Sequence, residues 1–193
     1  MIADMKWMTL QFKYCLAAAA LAFPLVAFAQ GDGGGARDID GLFADLRDPG
    51  LERWEPVENA IWQHWSQSGS PTADLLLQRG RDALEAEAPE IAVEHLTALI
   101  AFAPDFAEGY NARATAFYQM EMLGPALADI RRALALNPRH FAALTGLARI
   151  LEQLGQDRDA LSAYRAVAAI HPHRPDIKDG IERLEQALGD TAL

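Results

Sequence analysis

The chain has one cysteine, Cys15, and none after it. A disulfide framework and a cysteine-ligated zinc site are thereby excluded for everything downstream, and stability there must come from packing. Long apolar runs are missing as well. The longest, Tyr14 to Ala29, spans 16 residues and contains Pro24, whereas a membrane-spanning helix needs roughly 20. Basic charge is scarce: 17 Lys and Arg stand against 27 Asp and Glu, a net charge of −10. Such a surface repels phosphate backbones and anionic lipid, so nucleic acid and membrane surfaces are poor partners. Catalytic groupings are absent too. None of Ser66, Ser68, Ser70 and Ser162 lies in a strand-to-helix elbow or beside a plausible base. The glycines from Gly31 to Gly35 have no lysine and no preceding strand, and read as linker rather than phosphate loop. The sequence supports no enzyme, no cofactor and no catalytic residue.

What is present begins with a targeting pattern. Lys6 and Lys13 precede the apolar run, which closes on Ala27-Phe28-Ala29. This is the charged, apolar and small-x-small order of a cleaved signal peptide over residues 1–29, with the cut between Ala29 and Gln30. The expectation is export to the periplasm with no membrane insertion after cleavage. Cys15 lies at the start of the run rather than at the cut, which argues against a lipid anchor. Asp4 is out of place in such a segment, and Met5 and Met8 are alternative starts to Met1 that would remove it.

The next pattern is a period. Pro104, Pro138 and Pro172 are 34 residues apart, as are Ala92, Ala126 and Ala160, and Gly80, Ala114 and Ala148. The units run 73–106, 107–140 and 141–174. Repeats of this length are antiparallel helix pairs that stack into a superhelix. Small residues at Gly80, Ala114 and Ala148 are expected to face Ala92, Ala126 and Ala160 where two helices cross closely. Leu76, Tyr110 and Leu144, with Leu96, Ile130 and Tyr164, are the expected fillers. Each unit ends in proline, Asp105 with Glu108 reads as a capping pair, and Gly155-Gln156-Asp157 supplies a turn glycine and an N-cap acid.

The ends of the array read as covers. Ile177, Ile181, Leu184 and Leu188 share one face of a capping helix within 175–193. Residues 30–38 form a flexible leader, and 39–72 an N-terminal helical extension with short helices around Leu42–Leu46 and 56–67. These helices, with Trp54, Trp62 and Trp65, are expected to cover the open face of the first repeat.

On the period and the third unit's Leu147-Ala148, Leu151, Gly155, Ala160, Tyr164 and Pro172, residues 73–174 resemble the tetratricopeptide repeat (TPR) family. Departures are Arg79 and Arg113 where leucine is usual, and Glu121 where the third unit has Gly155. With the signal segment, the chain looks like the small exported repeat proteins of Gram-negative bacteria. The resemblance implies an all-α, right-handed superhelical solenoid of three helix pairs. It also implies a groove, lined by first helices, that takes a protein or peptide segment. By position that groove presents Asp74, Leu77 and Arg81, then Glu108, Asn111, Thr115 and Tyr118, then Thr145, Arg149 and Glu152. The expected partner contacts are Arg81, Asn111, Thr115, Tyr118 and Arg149. The family's chaperone-clamping subgroup uses Lys, Asn and Arg where this chain has Leu77, Arg81, Ala112, Ala142 and Gly146, so that partner does not transfer. The reading is an exported adaptor; the alternative is a self-associating homo-oligomer of the cell envelope, suggested by the Trp-rich start.

Two further groups read as structural rather than chemical. His171-Pro172-His173 with His140 matches no zinc spacing, and histidines at helix C-termini complement the dipole. Glu85, Glu87, Glu90 and Glu94 surround a helix turn and read as solvated rather than as a glycosidase pair.

Overall fold

The computed structural model describes residues 38–190, and every regular element among them is an α-helix. The signal, the cleavage pair Ala29 and Gln30 and nearly all of the leader lie outside the described residues. The elements are α1 (Ile39–Leu46), α2 (Glu55–Trp65), α3 (Pro71–Glu85), α4 (Pro89–Phe102), α5 (Ala107–Gln119), α6 (Leu123–Leu136), α7 (Phe141–Gln153), α8 (Asp157–Ile170) and α9 (Pro175–Asp190). α3–α4, α5–α6 and α7–α8 are the three pairs, and α9 packs on α8.

Punctuation follows the chemistry of the turns. Pro104, Pro138 and Pro172 each fall two residues beyond a second helix, where proline stops the backbone ladder. First helices end in a shared turn: the amides of Ala88, Met122 and Gln156 bond the carbonyls of Ala83, Phe117 and Leu151. That closure puts the preceding residue in the left-handed region, where Gly155 has φ 69°. Glu87 and Glu121 occupy the same turn position at φ 54° and 58°. The expected side-chain caps do not form. Phe106 and Gln156 stand at the N-cap positions of α5 and α8 without a side-chain bond, and Glu108 is drawn into the interior instead.

The small residues are buried together, Ala114 with Ala126 and Ala148 with Ala160. Gly80 in addition meets a filler: a Cβ there would lie 2.5 Å from the Leu96 Cγ. Between units the same filler positions seat on small residues of the next first helix. Ile130 lies against Gly146, and the Tyr164 ring against Gly180 of α9, with would-be Cβ distances of 3.3 and 3.2 Å. Leu96 shares its cluster with Ala112, the equivalent position in α5. As the filler grows from Leu to Tyr, its seat falls from Ala to Gly, which keeps the interhelix spacing. Leu76, Tyr110 and Leu144 are only half-buried, while Leu77 is fully buried in place of its expected groove position. Arg113, where leucine is usual, makes a bidentate pair with Asp129 at 2.7 and 2.8 Å and also reaches Thr97, tying α5 to both α6 and α4.

α1 and α2 do not cover the first repeat. Their core, Leu42, Phe43, Leu46, Val57, Ile61 and Trp65, is continuous with Phe141, Tyr164 and Ile177 of the last repeat and α9. The physical reason lies in α3. One period after Leu75, Gln78 and Asp82 stand Gly109, Ala112 and Ala116, which pack on α4. On α3 itself, Gln78, Arg79 and Asp82 are exposed, with Leu75 the one apolar side chain among them. A face this polar is solvated without a cover.

Candidate binding groove

Between first helices α5 and α7 lies a cleft of ≈ 210 Å³. Asn111, Thr115 and Tyr118 of α5 line one wall, and Thr145, Gly146 and Arg149 of α7 the other. Ala114, Ile130 and Ile150 make an apolar floor, and Arg174 closes one end. Gly146 keeps the floor open, since a side chain there would meet Ile130. Four of the five sequence-selected contacts, Asn111, Thr115, Tyr118 and Arg149, are thus brought together. Tyr118 is exposed, and Arg149 has one long contact, 3.4 Å to Asp176.

Arg81 is not in this cleft. Its guanidinium donates to the Ser66 Oγ at 2.8 Å and to the Glu108 Oε1 at 2.7 Å, and lies 6.0 Å from the Trp62 ring centre. It joins α2 to α3 and α5. Glu108, nearly fully buried, also accepts from Asn111 at 3.2 Å and from the His140 Nε2 at 2.8 Å. The Ala143 amide donates to the His140 Nδ1, so Nε2 carries the ring proton. Asp74 accepts from the amide and hydroxyl of Ser68, and Glu152 accepts from Tyr164 and Arg183. Burial and the Glu152 carboxylate push the Tyr164 hydroxyl up from its ordinary value.

His140 corrects the helix C-terminus reading, and His171 fits it. His140 is the N-cap of α7 and fully buried, stacked 4.2 Å from the Trp65 ring. His171 does sit at the end of α8, yet it too is fully buried, edge-on to Trp54 at 4.9 Å, with Nε2 3.3 Å from the Glu58 Oε2. Burial pushes the Glu58 carboxyl up, but hydrogen bonds from His171 and Trp62 and the charges of His171 and Arg174 outweigh it, and the net shift is downward. Among the described residues no three His, Cys, Asp or Glu side chains are gathered to hold a metal ion. No described helix is long and apolar enough to cross a membrane.

Trp54, Trp62 and Trp65 therefore pack away from their expected seat. Trp62 and Trp65 contact His140 and Phe141, Trp54 contacts His171, and the one reach to the first repeat is Trp62 toward Arg81. α2 lies against the turns that precede α7 and α9, at His140 and His171. Sequence reasoning missed Glu58 and the pairings of Glu108 with His140 and of Glu58 with His171; a buried polar network has no period to betray it.

Stacked helix pairs with a cleft between first helices define a helical-repeat interaction scaffold. The tetratricopeptide repeat profile matches residues 117–184. A TPR repeat-containing protein of Rhizobium etli is 35% identical over 153 residues, covering 78% of this chain and 74% of that protein. The chain belongs to the tetratricopeptide repeat family, whose domains are protein–protein interaction modules. Among solved structures, the first TPR of Spaghetti (RPAP3) bound to the HSP90 peptide SRMEEVD aligns with a TM-score of 0.60 at 21% identity, covering 62% of this chain and 95% of that one. The TPR2B domain of yeast Sti1 in its pHsp70 complex aligns at 0.57 and 22%, covering 61% and 99%. At these identities the likeness is one of fold.

Proposed function

We propose that the protein is an exported, non-catalytic adaptor that holds a protein or peptide segment in the cleft between α5 and α7. The observation that carries this is the cleft itself: an open, apolar floor with Asn111, Thr115, Tyr118 and Arg149 on its walls. Peptide binding by the structurally similar Spaghetti and Sti1 domains supports the same use of the fold. The chain lacks the clamp subgroup's residues at Leu77, Arg81, Ala112, Ala142 and Gly146, so that subgroup's chaperone tail is not carried over as the partner. Export rests on the signal pattern of residues 1–29, and the compartment is the periplasm.

The test is in-cell photo-crosslinking from position 118, with position 132 as control. Arg132 lies on a second helix and holds Asp105 at 3.3 Å, away from the cleft. A discrete adduct from 118 and none from 132 supports the adaptor. Equal labelling from both, or none, removes the cleft as the site. N-terminal sequencing of the mature chain tests export, which is rejected if residues before Gln30 persist.

A further inference from the structure

The contacts that the cleft's own side chains make decide which of their atoms are left for an occupant. The Thr115 hydroxyl donates to the Asn111 carbonyl at 3.1 Å, and the Thr145 hydroxyl to the Phe141 carbonyl at 2.8 Å, one turn back in each helix. Both protons are engaged, so each Oγ1 is left to accept. Asn111 is fixed in the same sense. The buried Glu108 carboxylate takes only donors, so the Asn111 amide nitrogen turns to it at 3.2 Å and the Oδ1 remains an acceptor. The walls therefore suit a segment with N–H groups to place, as an extended backbone has. Beneath them the floor of Ala114, Ile130 and Ile150 is apolar.

Charge is placed just as unevenly. The chain carries a net −10, yet among the described residues no Asp or Glu lines the cleft, and Arg149 and Arg174 do. These two cations are not equivalent. The Arg174 fork is filled: its Nε and Nη2 hold Asp176 at 3.0 and 2.7 Å, and its Nη1 lies 3.9 Å from Glu58. Arg149 is 52% exposed, and its one contact, at 3.4 Å, is to an Asp176 oxygen that Arg174 already holds. An anion at the closed end meets a neutralised arginine, whereas an anion at the rim meets an open one.

We infer that the occupant is an extended peptide with an internal Asp or Glu, whose side chain reaches Arg149 at the rim while a neighbouring aliphatic side chain enters the floor. This rests on the adaptor reading of the same cleft and adds the chemistry of what is bound. A chain end would be stopped at the closed end, where the donors of Arg174 are taken; a side chain from a passing strand reaches the rim.

The experiment selects peptides on the purified full chain from a display library of random segments flanked on both sides by constant sequence, so that no free chain end is offered. Selected peptides are measured by fluorescence anisotropy against wild type, R149Q and Y118A. The expected result is an acidic position beside an aliphatic one. Changing that acid to its amide should weaken binding to wild type about tenfold, the scale of one charge-assisted hydrogen bond, and leave binding to R149Q unmoved. Added salt should shrink the same difference. Peptides that lose binding to Y118A but have no acidic position, or whose amide form costs R149Q as much as wild type, overturn the acidic occupant and leave the adaptor standing. Peptides that bind Y118A as well as wild type lie outside the cleft, and that outcome removes both readings, as does a selection that enriches nothing. A parallel library that ends in the random segment separates the sources: peptides selected only there overturn the internal side chain in favour of a chain end.

Discussion

Single backbone positions decide two outcomes. Gly80 has no room for a methyl group, because Leu96 is fully buried and its Cγ would lie 2.5 Å away. Gly80→Ala gains up to about 1 kcal/mol of helix propensity, but overpacking a closed crossing costs about 1–3 kcal/mol. The net expected in urea unfolding is a loss. Gly124→Ala is the control: its Cβ would meet nothing within 4 Å, so the midpoint holds or rises. Glu121 poses the opposite case. It holds φ 58° where the third repeat has glycine, and a non-glycine residue there costs about 1 kcal/mol or more. Glu121→Gly therefore stabilises by about 0.5–1 kcal/mol, raising Tm by roughly 2–4 °C per kcal/mol for a chain of this size. An unchanged or lowered Tm in calorimetry would sink that account.

At the level of elements, the docking of α2 depends on an ionised carboxylate. Glu58 sits below the ordinary 4.5 when folded, so its contribution is present above that ordinary value. It is lost as pH falls through the lowered folded value. Asp176 is lowered as well: burial pushes it up, and Arg174 and Arg149 outweigh that. Acid titration followed by tryptophan fluorescence should show α2 loosening below the ordinary glutamate range. Glu58→Gln should remove Glu58's part of that slope and leave the Asp176 part. An identical profile in the variant would place the transition elsewhere. The helix pairs were legible because the 34-residue period repeats three times, and Asn111, Thr115, Tyr118 and Arg149 share a cleft because first-helix phase fixes their direction. The seat of α1 and α2 was not legible. An amphipathic helix declares an apolar face without naming what covers it, and the polar substitutions on α3 that free the first face look, in sequence, like family divergence. Arg81 has the phase of a groove residue and a different partner, because only the fold brings Glu108 and Ser66 to it.

Across the whole molecule, a solenoid transmits stability mainly between neighbours, which makes the position of α1 and α2 testable without any ligand. Trp65 stacks on His140 and touches Phe141 at a ring distance of 4.8 Å. Truncating a buried aromatic of this kind costs about 3–5 kcal/mol, and the loss falls where its contacts are. In hydrogen exchange, Trp65→Ala should speed the amides of α1, α2, the 137–141 turn and the 171–174 turn. The interior amides of α3 and α4, whose crossing is closed by Gly80, Leu96 and Ala92, should keep their protection. Had the N-terminal helices capped the first repeat, the order would reverse: α3 and α4 would fray first and the two late turns would hold. Faster exchange confined to α3 and α4 would therefore refute the seat across the turns.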